Sequence, residues 1–462
     1  MRGRTVISVS ANNDEGEVTP PFPFSVLGVR HTSSIPKMDN VGLLRLAPLP
    51  EWSIPNAVAV RGCLLRDALR KHPGIAAVLD SLGTAPPGTK APLYVKLSEG
   101  DAELIAWETL CDMSDRFVAL DARWPIGRIT DPTTTIQRQS PLFRMPVKIM
   151  AIISAHGIAG QEREWEVLRD SVDAARQAGL GVEVRVLTGD VAVHALVTSD
   201  IAASRPWVSV AGLEGSSAKV LTAMRMWQPN IVHFFCHGRA DSGLQQLELA
   251  TASDFNDPSV LQGSVVITAE QLAESGSRLD NPWLIVLNCC EGARASHKAL
   301  SLAHRVVSRA FPAAFAMLEP VDANDAHEFT LAIYGALLTE LRSVKTKLDA
   351  GQPVYIEWAS LTHDARDALN SLHQSNASVR REWALPAFYV RGMDAVQFRA
   401  APQNIDETQF ASWMATRDFA TYSNNLLRNS GLSEERCSKA VTDLLTKGGL
   451  PRSLWPSLDG TF

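Results

Sequence analysis

Between Val147 and Val390 the chain alternates short apolar runs with amphipathic stretches, and this pattern limits its possible folds more than any other feature. Residues 147–154, V-K-I-M-A-I-I-S, read as a strand. Residues 162–177 read as a helix, with Trp165, Leu168, Val172 and Ala175 on one face at helical spacing. V-E-V-R-V at 182–186 alternates as a half-buried strand. A helix over 218–227 leads into I-V-H-F-F-C-H-G at 231–238. A helix over 268–274 leads into W-L-I-V-L-N-C-C at 283–290, and a longer one covers about 298–310. A-A-F-A-M-L at 313–318, a helix over 326–341 and A-F-Y-V at 387–390 complete the series. Strands alternating with helices predict βαβ units, hence an α/β fold with a mainly parallel sheet and helices on both faces.

The flanks are less regular. Residues 1–20 are polar and read as a flexible terminus. Residues 21–141 read as a separate, mixed half, with a helix near 63–70, a turn at Pro86, Pro87 and Gly88, and a strand at 93–97. A short amphipathic helix is predicted over 102–111 and a further strand over 116–121. The regular region, 142–399, forms the second half. A-A-P-Q-N at 400–404 reads as a linker into a helical tail over 403–462. That tail is either a cap packed on the main domain or a small adaptor module.

Composition narrows the function classes. With 462 residues the chain has room for two or three domains, and 45% hydrophobic and 20% charged residues suit a soluble globular protein. A net charge of -6 with no basic cluster gives no nucleic-acid surface. No apolar run reaches membrane-spanning length, and the N-terminus has no apolar core of a signal peptide. Six scattered cysteines point to reduced thiols and a cytoplasmic location.

The chemistry concentrates at two strand ends. In an open parallel sheet, ligands collect beyond the carboxyl ends of the strands. His237 ends one apolar run and Cys290 another. If these strands are neighbours, a thiol meets an imidazole across one crevice and becomes the thiolate that attacks a carbonyl. Gly238 removes a side chain where substrate backbone must approach, and its N–H with that of Cys290 forms the expected oxyanion hole. A strand-end cysteine or a single histidine is ordinarily a packing residue; their joint placement is what raises the pair. Cys236 and Cys289 alternate to the opposite faces and are assigned to packing.

A metal centre is the rival chemistry. On an extended strand His233 and His237 lie about 13 Å apart at ~3.3 Å per residue, too far for one ion. No C-x-x-C or H-E-x-x-H occurs, so no metal is expected, and His233 is read as a core residue or one that supports the site from behind. G-L-E-G-S at 212–216 lacks the lysine of a phosphate loop and is read as a surface loop, and no cofactor is expected.

These residues also carry a resemblance. H-F-F-C-H-G at 233–238 and L-N-C-C-E-G-A-R-A at 287–295 are similar to the paired motifs of CHAT-domain peptidases, relatives of separase in the caspase and gingipain clan. E-R-E-W-E-V-L at 162–168, I-T-A-E-Q-L-A at 267–273, E-P-V-D-A-N-D-A at 319–326 and W-A-L-P-A-F-Y-V at 383–390 resemble further family segments. A-W-E-T-L at 106–110 looks like the family's upstream motif with alanine in place of proline. The family's aspartate after the next strand corresponds to Asp322 or Asp325. The resemblance spans roughly 40–395.

It implies a caspase-like fold with a non-catalytic N-terminal half, His237 as general base and Cys290 as nucleophile of a cysteine endopeptidase. Asn288, two residues before the nucleophile, is expected by clan analogy to line the pocket for the substrate side chain preceding the cut. Being uncharged, it gives no reason to expect a demand for aspartate. Glu291 is read as a helix-start acid favoured by the macrodipole, and Arg294 serves structure or substrate equally well. The resemblance further implies a protein substrate, a bacterial defence or signalling setting, and a latent state released by a partner or sensor. A catalytically silent scaffold on the same fold, or another thiol enzyme, are the alternatives.

Overall fold

The computed structural model describes residues 5–11, 24–29, 49, 54, 56–71, 73–82, 91–97, 100–131, 141–241, 244–257, 259–260, 263–289, 301–352, 354–392, 396–400, 407–429, 433–451 and 455. In chain order the first half holds β1 (Thr5–Ala11), β2 (Phe24–Val29), α1 (Ala57–Leu69), α2 (Pro73–Leu82), β3 (Leu93–Leu97), the single turn α3 (Gly100–Glu103) and β4 (Ile126–Thr130). There follow β5 (Leu142–Phe143), β6 (Val147–Ile153), α4 (Gln161–Gln177), β7 (Val182–Thr188), α5 (Val191–Ala202), β8 (Val208–Gly212), α6 (Ser217–Trp227) and β9 (Ile231–Asp241). Then come β10 (Leu244–Leu249), α7 (Ala252–Phe255), β11 (Val265–Thr268), α8 (Ala269–Ser277), β12 (Leu284–Cys289), α9 (Leu302–Arg309), β13 (Ala313–Met317) and α10 (Ala323–Asp349). β14 (Val354–Ile356), α11 (Ser360–Leu372), β15 (Pro386–Arg391), β16 (Val396–Ala400), α12 (Glu407–Asn429) and α13 (Glu434–Lys447) complete the chain.

The fold is α/β, and one sheet runs through both halves in the order β2-β1-β3-β4-β15-β13-β12-β9-β6-β7-β8. From β13 to β8 every pairing is parallel, as is every pairing from β1 to β15. The two parallel blocks meet at the antiparallel β13–β15 pair. Strands buried on both faces become continuously apolar, and β12 and β13 are buried at every residue. Side chains start the intervening helices: Thr268 and Gln271 form a reciprocal capping box on α8, and Asp322 caps α10.

Several expectations change in the structure. Residues 5–11 are not a frayed end: β1 pairs with β3 in the main sheet, where Val6 and Ile7 are buried. The predicted helix over 102–111 is broken into α3 and a single 3-10 turn at Trp107–Thr109. The backbone turns there to bring Glu103 and Glu108 onto the buried Arg128. The strand expected over 116–121 is replaced in its second half by a 3-10 turn, Val118–Leu120. Residues 396–400, read as lying before a linker, form β16 in a small second sheet with β14 and β5. The tail folds as the α12–α13 pair, with a small core of Leu142, Ala420, Val441, Leu445 and Leu450. No helix among the described residues is long and apolar enough to cross a membrane.

Candidate active site

β9 and β12 are parallel neighbours, and their register ends at Cys236 opposite Cys289. His237 and Cys290 are the next residues along each chain. Cys290, with Glu291 and Arg294, lies outside the described residues. Cys236 and Cys289 are both buried and packed in the core. β9 does not stop at His237 as the sequence suggested; it continues to Asp241 and folds back as an antiparallel hairpin with β10, which places Glu248 opposite His237 and Leu247 opposite Gly238.

The His237 ring is oriented by main chain. Its Nε2 lies 2.5 Å from the carbonyl oxygen of His156, just beyond the end of β6. A carbonyl only accepts, so Nε2 carries the proton and donates it, leaving Nδ1 as the basic nitrogen. The turn offering this carbonyl is held by Gln161, whose Oε1 accepts the Ala155 N–H at 2.7 Å and whose Nε2 donates to Asp190 Oδ2 at 2.9 Å. Asp190 uses its other oxygen to cap α5. The His156 ring packs against Phe255, centroids 5.2 Å apart.

Beneath the strand ends is a buried polar hub. Glu164, fully buried on α4, accepts from Asn288 Nδ2 at 3.0 Å and Thr330 Oγ1 at 2.6 Å. His233 Nε2 is 2.9 Å from the same oxygen but off the hydrogen-bond axis, an electrostatic contact rather than an aligned bond. Glu164 thereby touches both strands that lead to the paired motifs. His233 is wholly buried, in keeping with its reading as a core residue. Asn288 departs from its expected role. It is only 1% exposed and spends its amide on Glu164, Ala326 and Thr330, so it braces β12 against α4 and α10 instead of lining a substrate pocket. The alternation of β12 turns this side chain into the helix layer.

A cavity of about 540 Å³ opens beside the N-terminus of α10, lined by Arg163, Asp322, Asp325, His327, His373 and Arg380 among others. Burial lowers the basicity of His327, whose ring stacks on Phe235. Asp322 is the exposed cap of α10, whereas Asp325 turns inward to His373 Nε2 at 2.7 Å. Burial raises the Asp325 carboxyl, with His373 pulling against it. Among the described residues Asp325, His373 and Glu382 stand as close as metal ligands would. Arg380 joins the same group, donating to His373 Nδ1 at 3.0 Å and to Glu382 Oε2 at 3.2 Å.

His156, Gln161, Glu164 and Asp190 escaped the sequence reading. A carbonyl acceptor has no side-chain signature. Gln161 and Glu164, though, sit on the same helical face as Trp165 and Leu168, and polar residues on a core-facing stripe were a readable signal.

Residues 152–354 match the family model described as CHAT domain. In shape the chain is similar to the Arg-specific cysteine proteinase gingipain R (RGPB), at 9% identity and TM-score 0.39, covering 75% of this chain and 70% of that one. It is also similar to separase of Saccharomyces cerevisiae in the separase–securin complex, at 10% identity and TM-score 0.32, covering 73% of this chain but only 18% of that one. Among curated proteins none matches the sequence. The likeness to the CHAT domain model is confined to residues 152–354.

Proposed function

We propose that the protein is a cysteine endopeptidase working through His237 and Cys290. The observation that carries this reading is the 2.5 Å contact between His237 Nε2 and the His156 carbonyl, which holds the imidazole in one tautomer at the end of β9. An oriented imidazole whose unprotonated nitrogen is Nδ1, next in chain after the last registered pair of β9 and β12, is what a thiol nucleophile following Cys289 requires. In the step inferred, Nδ1 takes the thiol proton and the Cys290 sulfur forms a bond to the scissile carbonyl carbon. The C–N bond breaks as the imidazolium returns that proton to the leaving amine. Water, deprotonated by the same imidazole, then cleaves the thioester and frees the thiol. The backbone N–H groups of Gly238 and Cys290 are the proposed oxyanion donors.

A cytosolic setting, latency released by a sensor protein and a role in bacterial defence follow from the family resemblance and belong to the same proposal. The test is cleavage of a proteome-derived peptide library by wild type, Cys290→Ala and His237→Ala, with and without cell extract as a source of activator. Cutting by wild type alone supports the dyad and reports the preferred sequence. Cutting that survives Cys290→Ala removes the proposed nucleophile.

A further inference from the structure

We propose that Gln161 and Asp190 are positioning residues that act through the 155–156 turn to fix His237, an inference that rests on the dyad reading above. Four groups stand in series across three elements. Asp190, at the start of α5, accepts from Gln161 Nε2 at 2.9 Å. Gln161, the first residue of α4, accepts the Ala155 N–H at 2.7 Å. The carbonyl of the next residue, His156, receives the His237 Nε2–H at 2.5 Å.

The direction of every bond in the series is forced. A backbone N–H only donates, so Gln161 must present oxygen to Ala155; its amide nitrogen must then face Asp190, which as a carboxylate only accepts. Gln161 is 3% exposed, so water cannot substitute for either partner. Asp190 is itself tethered, with Oδ1 accepting from Ala192 and Val193 and its own N–H donating to Thr188 Oγ1. The turn needs such a brace, because Gly157 and Gly160 take positive φ of 77° and 83° on either side of Ile158 and give the segment little stiffness of its own.

This polarity gives a reciprocal test. Gln161→Glu places a carboxylate oxygen against Asp190, and Asp190→Asn, whose Oδ1 stays on the Ala192 and Val193 N–H groups, turns its NH2 against the Gln161 NH2; each breaks the series at the same joint. The double variant restores it with the roles exchanged. The amide introduced at position 190 donates to the carboxylate introduced at position 161, whose other oxygen still accepts from Ala155. Two readouts are taken on the full chain. One is the protected Nε2–H proton of His237, followed by NMR on ¹⁵N-histidine-labelled protein and assigned by its loss in His237→Gln. The other is the rate at which a peptide chloromethyl ketone labels Cys290, located by mass spectrometry.

Displacing an aligned group by about 1 Å costs rate heavily, so each single variant should lose the protected proton and label at least about tenfold more slowly. The double variant should regain the signal and label within about threefold of wild type. Gln161→Met, which keeps the bulk without the hydrogen bonds, should behave as the singles do and covers the case in which a buried charge prevents folding. Singles that retain signal and rate, or a double variant no better than either, overturn the proposal. If the proton signal follows the variants while labelling of Cys290 ignores His237, the alignment stands and the dyad falls.

Discussion

Replacing Glu164 by leucine should remove the brace under both motif-bearing strands. The cost follows from what the carboxylate touches. Thr330 Oγ1, 2.6 Å away, loses its acceptor, and His233 Nε2, 2.9 Å away, loses the negative charge facing it. Asn288 keeps Ala326 O and Thr330 Oγ1, so it is not stranded. A buried donor left without a partner costs about 1–3 kcal/mol, and Thr330 is the aligned donor stranded here, with the charge facing His233 lost besides. Leucine no longer has to keep a charge out of water, and that relief offsets the lost His233 contact and leaves the net at about 1–3 kcal/mol. Such a loss is a large part of the ~5–15 kcal/mol that holds a folded protein together. Glu164→Gln keeps one oxygen for Thr330 and should cost about 1 kcal/mol. Urea unfolding followed by tryptophan fluorescence measures both, with Trp165 next in sequence as a local reporter. A leucine variant within 0.5 kcal/mol of wild type (about the error of such measurements), or a glutamine variant as damaged as the leucine one, would refute the hub.

The other predictions concern different parts of the molecule. Arg128 and Glu108 form a 2.8 Å ion pair with both side chains fully buried, and Arg128 also donates to the carbonyls of Glu103 and Ile105. Arg128→Ala leaves the buried Glu108 charge only the more distant Arg366, 3.9 Å away, and should cost about 3 kcal/mol in urea unfolding. Burial alone would raise the Glu103 carboxyl, but His304, the Ser301 N–H and Arg128 together hold it below the ordinary 4.5. Its contribution is therefore full above that value and fades as pH falls through the lower folded-state value, so the stability gap between wild type and Glu103→Gln should narrow on acidification below about 4.5. A gap independent of pH would contradict this assignment. Leu445 is wholly buried in the tail core, so Leu445→Ala should loosen the α12–α13 pair by about 2–5 kcal/mol. Limited proteolysis would then clip the tail before the main sheet.

The middle of the parallel sheet was legible because strands such as β12 and β13 are buried on both faces, and a run such as L-I-V-L-N-C has few other uses. α4 was legible for the opposite reason: Trp165, Leu168 and Val172 mark its single buried stripe. β1 was missed because its V-I-S-V core lies among polar neighbours, and its partner β3 is more than eighty residues away, beyond the reach of local pattern. The helix expected at 102–111 failed because helical spacing cannot show that Glu103 and Glu108 are both drawn to one buried arginine. At the site, His237 stood out by residue type and position. The group that orients it is a main-chain oxygen, and Asn288 was misjudged because proximity in sequence to a nucleophile does not state which side of the sheet a side chain occupies.

The account's central claim is that His237 activates Cys290, and the most direct measurement is the pattern of covalent capture. Wild type, His237→Ala and Cys290→Ala are each treated with a peptide chloromethyl ketone, and the modified residues are located by mass spectrometry. The account predicts rapid modification at Cys290 in wild type, loss of at least about two orders of magnitude in rate without His237, as for removal of a general base, and no capture elsewhere when Cys290 is absent. Modification of Cys290 at the same rate with and without His237 would contradict it.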